Sequence, residues 1–229
     1  FWGAARTSVV WTVSSVALQL LLGLGIALLL NRPLKGMTVF RVLVLIPYAF
    51  PPVAVALVWR WILSGAFGVL NVMLSDLGII AEHISWLGSA DVALPTVIAV
   101  NVWFGFPLFA ISILAGLQSI PKEYYEVAQI EGASGWRTFW HVILPSIRSI
   151  VSIMLVLRTI WVFNGFDILF MLTGGGPGRR TETLPIYTYM TGWGYHMIGE
   201  SAAIAVILFV FLGLASLLYF RLVRTGESA

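Results

Sequence analysis

Apolar residues along this 229-residue chain come in long runs separated by short polar stretches. Five runs, at 8–30, 42–63, 92–116, 146–169 and 199–220, reach the roughly 20 residues that a helix needs to cross a bilayer. They predict an all-α protein, a polytopic transmembrane helical bundle with about five spans in a single domain, 1–229. The polar stretch at 119–145 is built differently from the others. Here Glu126-Val127-Ala128-Gln129-Ile130-Glu131-Gly132-Ala133 leads after a short interval to Ile143-Leu144-Pro145, and the segment reads as two short helices. Pro121 suits a first helical turn, and Glu123 and Glu126 place negative charge where the helix dipole favours it. Gly132 is expected to end the first helix in a left-handed conformation, Ser134 to cap the second, and Pro145 to bend the chain into the next run.

Composition narrows the class. Apolar residues make up 59% of the chain and charged residues 10%, with mean hydropathy +0.95. Soluble domains carry about 25% charged residues, so this is a membrane protein. The net charge of +3 is small and dispersed, which argues against a nucleic-acid partner. Its placement is informative. Arg32, Lys35 and Arg41, then Lys122, Arg137 and Arg148, then Arg221 and Arg224 fall on one side if five spans alternate. The positive-inside tendency puts that side, and the C-terminus, in the cytoplasm. There is no cysteine, and His83, His141 and His196 are not at ligand spacing, so neither thiolate chemistry nor a metal site is expected.

Two runs carry interruptions. Ile46-Pro47-Tyr48-Ala49-Phe50-Pro51-Pro52 places three prolines in an apolar stretch, and Gly105 and Pro107 lie in the third run. Each proline frees a carbonyl that lipid cannot satisfy, so these stretches should face protein or a wet cavity. They read either as kinks for helix packing or as the lining of a path. In the fourth run Arg158, Asn164 and Asp167 are polar where lipid would demand the opposite. Arg158, Trp161, Val162 and Gly165 share one helical face at i, i+3, i+4 and i+7. Such a face suits a sugar, whose apolar ring faces lie on aromatics while its hydroxyls bond to polar groups. The competing reading is structural: an ion pair, or Asp167 satisfying loop amides. Of the ten tryptophans, Trp103 and Trp161 fall at membrane depth, and boundary belts account for Trp59, Trp61 and Trp86. Small residues at Gly199, Ala203, Ala205, Gly213 and Ala215 suggest close helix contact in the last run, within the chain or against a second subunit. Gly174-Gly175-Gly176-Pro177-Gly178-Arg179-Arg180-Thr181 lacks phosphate-loop spacing and reads as an external turn.

The order Glu126-x-Ala128, three residues, Gly132, nine residues, Val142-x-Leu144-Pro145 resembles the EAA loop of ABC-importer permeases. Val127 stands where that family usually has its first alanine. The resemblance extends to Asn31-Arg32, Trp59-Arg60-Trp61, Ala115-Gly116-Leu117-Gln118-Ser119-Ile120-Pro121 and Leu172-Thr173-Gly174-Gly175-Gly176-Pro177. It implies a type I importer permease of the carbohydrate-uptake kind, the group that handles maltose, trehalose and glycerol 3-phosphate. Members commonly have six spans, so one more is expected ahead of Phe1.

The resemblance further implies a multi-pass protein of a bacterial or archaeal cytoplasmic membrane that hydrolyses nothing and holds no cofactor of its own. ATP and Mg would sit on ATP-binding cassette subunits. A second permease subunit and an extracytoplasmic solute-binding protein would complete the assembly. Glu126, Ala128, Gly132 and Ala133 would couple to the ATPase. Gly105, Leu108, Arg158, Trp161, Val162, Asn164, Gly165 and Asp167 would line the path of a sugar or polyol. A self-contained ion-coupled secondary transporter is the alternative, although no inverted repeat is visible. An intramembrane enzyme would need a paired-carboxylate or Ser/His constellation, which the sequence does not suggest.

Overall fold

The computed structural model describes residues 1–32 and 35–227, and no strand occurs among them. Side chains at 215, 216 and 218–227 lie outside that description, and with them the expectations placed on Ala215, Arg221 and Arg224. Eleven α-helices follow one another: α1 (Trp2–Leu30), α2 (Met37–Ala49), α3 (Pro52–Ile62), α4 (Val69–Asp76), α5 (Ala93–Gln118), α6 (Lys122–Ile130), α7 (Gly135–Thr138), α8 (Leu144–Phe163), α9 (Asp167–Thr173), α10 (Leu184–Tyr189) and α11 (Ile198–Glu227). Wide π turns at Phe139–Ile143 and Met190–Gly194 join α7 to α8 and extend α10.

Each expected apolar run contains a helix, with three corrections. The second run is sharply broken rather than gently kinked, because α2 and α3 meet at a 92° bend. Pro51 caps α3 and Pro52 opens it, where the missing N–H groups would have had no partner within the helix. The fourth run is also divided: α8 stops at Phe163, and Asp167 begins the separate helix α9. Pro145, finally, does not interrupt the helical backbone, because it lies in the first turn of α8 directly after the π turn. The Leu144 N–H reaches back to the Phe139 carbonyl through the π turn. That wider turn accommodates the proline ring, and Gly135–Thr173, with its break at 164–166 included, is apolar and long enough to cross a membrane.

The chain forms two compact units. The first comprises Phe1–Val16, Phe50–Val102 and Thr159–Ala229. In it Ala4, Phe163 and Leu184 form a buried cluster, with Tyr187, Leu208 and Leu212 packed around it. Two hydrogen bonds tie distant segments of this unit together: Trp11 Nε1 donates to the Val162 carbonyl at 2.9 Å, and the Leu184 amide donates to Ser8 Oγ at 2.7 Å.

The second unit comprises Ala17–Ala49 and Trp103–Arg158. Its helices approach closely at glycines. A Cβ at Gly23 would collide with Phe109, and one at Gly116 with Ile150. Lipid supplies little drive for helices to associate, so backbone proximity and dispersion carry the contact. The small residues of the last run play no such part within this chain, because Gly199 and Gly213 have open space where a Cβ would stand. Gly23→Leu is expected to destabilise the purified protein in detergent by about 1–3 kcal/mol, the usual cost of overpacking. Gly25→Leu, at a position with nothing within 4 Å, leaves the melting temperature unchanged. Equal melting curves for the two variants would contradict this packing.

Candidate functional site

The segment between α5 and α8 is held by one hydrogen-bonded turn. Pro121 caps α6 rather than sitting in its first turn, and Glu123 lies in that turn. At the other end Gly132 has φ +70°, its N–H donates to the Gln129 carbonyl at 3.0 Å, and the Ala133 N–H donates to the Ala128 carbonyl at 2.9 Å. This pair of bonds is a Schellman motif, in which left-handed glycine lets the chain fold back over the last helical carbonyls. Ala128, Gly132 and Ala133 are therefore parts of a single turn. Ser134 then caps α7, accepting the Arg137 N–H at 3.4 Å.

Exposure divides this segment sharply. Ala128 is the buried residue of α6, and Glu126 is exposed. Ile130 and Trp136 are 86% and 71% exposed, with Tyr124, Val127 and Trp140 also open. The rings of Trp136, Phe139 and Trp140 pack on one another. Burial raises the Tyr125 phenol above its ordinary range.

The polar residues of the fourth run separate. Arg158 is buried, and its Nε donates to Gln19 Oε1 at 2.7 Å. Gly105 leaves room for both groups, since a Cβ there would overlap the guanidinium and the Gln19 amide. Leu108, one turn further along α5, is half-buried. Trp161 is half exposed, whereas Val162 is buried. Asn164 folds back onto the Ile160 carbonyl at 2.9 Å. Gly165 lies past the end of α8, so it does not continue the helical face of Arg158 and Trp161 as the spacing suggested. Asp167 is exposed in the first turn of α9, a position that its charge suits.

The loops on the far side of α5 are more ordered than expected. Asn71, fully buried at the start of α4, donates to the Ile84 carbonyl at 2.9 Å and to those of Ser64 and Gly65 at 3.3 and 3.4 Å. Its Oδ1 accepts from the Ile84 amide at 3.2 Å and from Trp86 Nε1 at 2.9 Å. The glycine loop is likewise tied. Thr181 Oγ1 donates to the Gly176 carbonyl at 2.7 Å, and Arg179 pairs with Glu182 at 2.6 Å, which holds the guanidinium above its usual range.

The model of the family described as "Binding-protein-dependent transport system inner membrane component" matches residues 19–225. The chain belongs to that family. It is 36% identical, over its whole length and 79% of the relative's, to a probable ABC transporter permease protein of Brucella suis. It is 35% identical to the trehalose/maltose transport system permease protein of Thermococcus litoralis, covering 98% of this chain and 75% of the other. A solved bacterial ABC transporter for import of the acidic polysaccharide alginate shares the fold, with TM-score 0.88 at 23% identity over 98% of this chain and 79% of that one. The permease is thus a multi-pass, all-α importer subunit of the inner membrane. Membership in this family decides against a self-contained secondary carrier.

Two residues of the permease escaped the sequence reading. Gln19 is the lone amide in a long apolar helix, which is a signal of sorts. Asn71 gave none, because its five hydrogen bonds reach four residues that only the folded loop brings together. Asn71→Asp keeps an acceptor for Trp86 but loses the amide donors. We expect it to open the loop to limited proteolysis and to cost about 1–3 kcal/mol, the price of leaving buried carbonyls unpaired. Proteolysis indistinguishable from wild type would remove Asn71 from this role.

Proposed function

We propose that the permease forms the translocation path for a sugar or polyol in an ATP-driven importer, with 1–229 acting as one transmembrane domain. An extracytoplasmic binding protein delivers the cargo, a second permease completes the path, and ATP-binding cassette subunits supply the energy. The relatives' names support a carbohydrate cargo. The C-terminus and the segment 119–145 face the cytoplasm, in keeping with the basic residues around them.

The observation that carries this reading is the turn between α6 and α7. A locked turn that leaves Ile130 and Trp136 largely exposed in a polar, water-facing segment is a surface shaped for a protein partner. On this reading Gly132, with Ala128 and Ala133, fixes the turn, and Glu126 and the exposed apolar side chains meet the ATPase. ATP binding would close the ATPase subunits and tilt the attached helices, changing which side of the membrane the path opens to. Arg158 and Trp161 are the residues of the path best suited to cargo, the first as hydrogen-bond donor and the second as ring platform. Gly105, Leu108, Val162, Asn164, Gly165 and Asp167 shape or border it.

The test is reconstitution of the assembled transporter in liposomes with its binding protein, reading uptake and ATP hydrolysis together. A Cβ at Gly132 meets nothing within 4 Å, so substitution there acts through the backbone alone. Gly132→Val strains the turn by about 1–2 kcal/mol and lowers cargo-stimulated hydrolysis, whereas Gly132→Asn, which tolerates left-handed φ, retains it. Normal coupling in the valine variant would refute the role of this turn. Separately, Trp161→Ala is expected to weaken uptake while assembly is preserved, and unchanged uptake kinetics would take Trp161 out of the path.

A further inference from the structure

We propose that the end of α3 and the loop after it form a binding site for an anionic phospholipid. Two adjoining cavities carry the inference. One, of about 650 Å³, is lined by Leu57, Val58, Trp61, Ile62, Phe67 and Val69, all apolar. The other, of about 380 Å³, shares Leu57, Trp61 and Phe67 with the first and adds Arg60, Ser64 and Ser85. Together they make a groove that is apolar at one end and cationic and hydroxylic at the other.

Its place in the chain fits a membrane boundary. The groove lies where the apolar helix α3 gives way to a polar loop, and α5, long enough to cross a bilayer, separates that loop from the coupling segment. Trp61 is 76% exposed at the junction of the two cavities, the position that indole favours between headgroups and chains.

The chemistry at each end selects the occupant. A sugar would find no polar partner in the larger cavity, whereas an acyl chain needs none. The exposed Arg60 spends one donor on a long 3.5 Å hydrogen bond to the Met171 carbonyl, which leaves most of its five N–H groups for a phosphate. No carboxylate lines either cavity to compete for it. Ser64 and Ser85 line the same cavity as Arg60 and offer it two hydroxyl groups, which suit a glycerol headgroup. They are held in place because Asn71 grips the carbonyls of Ser64, Gly65 and Ile84. The site is independent of cargo and of the coupling turn.

The experiment uses the assembled transporter in nanodiscs of phosphatidylcholine containing a small fraction of phosphatidylglycerol with a photoreactive acyl chain, with the cross-linked peptides mapped by mass spectrometry. Cross-links are expected to concentrate on Trp61, Phe67 and Val69. Arg60→Gln should reduce them about fivefold, the factor one basic residue contributes beside an anionic headgroup, while Arg60→Lys keeps most of the signal. The same photoreactive chain on phosphatidylcholine should label the site weakly and be indifferent to Arg60. Filling the apolar cavity with Val69→Trp should abolish the focused labelling in otherwise intact protein, and serves as the test should the Arg60 variants fail to assemble. Even labelling along α3, or labelling by phosphatidylglycerol that ignores both Arg60 and Val69, overturns the proposal. So does a photoreactive residue placed at Phe67 that captures the second permease or the binding protein instead of lipid.

Discussion

Inside a bilayer no water is available to satisfy a peptide group, and the breaks in the apolar runs of this permease answer to that constraint. The 92° break between α2 and α3 places prolines where α3 would otherwise present unpaired donors, and the Val55 amide bonds to the Pro51 carbonyl at 3.1 Å. α9 closes with the Gly174 amide on the Phe170 carbonyl at 2.8 Å, glycine taking the left-handed conformation. Pro145, which has no N–H to give, sits just past a π turn whose longer reach absorbs it.

The polar segments follow the same rule outside the apolar runs, which is why they are ordered. The α6 terminus satisfies its last carbonyls through Gly132 and Ala133, so the turn keeps its shape while the large apolar side chains around it stay open. Asn71 does for one loop what Gly132 does for the other, using a side chain where the backbone cannot reach. Arg158 is the counterpart at membrane depth. It is a charged group placed among apolar helices, supported by the Gln19 amide and by the room that Gly105 leaves.

Much of this was legible in the sequence. The five apolar runs, the left-handed Gly132 and the Ser134 cap depend on local composition and short-range sterics, and the structure has all of them. The EAA-type spacing was specific enough to point to the family before any coordinates. What failed was inference that needed three dimensions. Three prolines in a row of apolar residues do not reveal whether a helix kinks or turns a corner. The period that aligned Arg158 with Gly165 assumed a helix that ends at Phe163. Within the chain, close approach falls at Gly23 and Gly116, whereas Gly199 and Gly213 stand beside open space. Gln19 and Asn71 mattered only once distant segments had met.

The π turn at Phe139–Ile143 has a mechanical meaning. Had Pro145 broken the helix, anything pulling on Trp136 would have swung a short arm about a hinge. Instead, the stretch from Gly135 to Phe163 is one shaft, and Arg158 lies about 35 Å along it at the helical rise of roughly 1.5 Å per residue. Moved at its base, a continuous helix of that length carries a small angular displacement into a larger sweep at its far end.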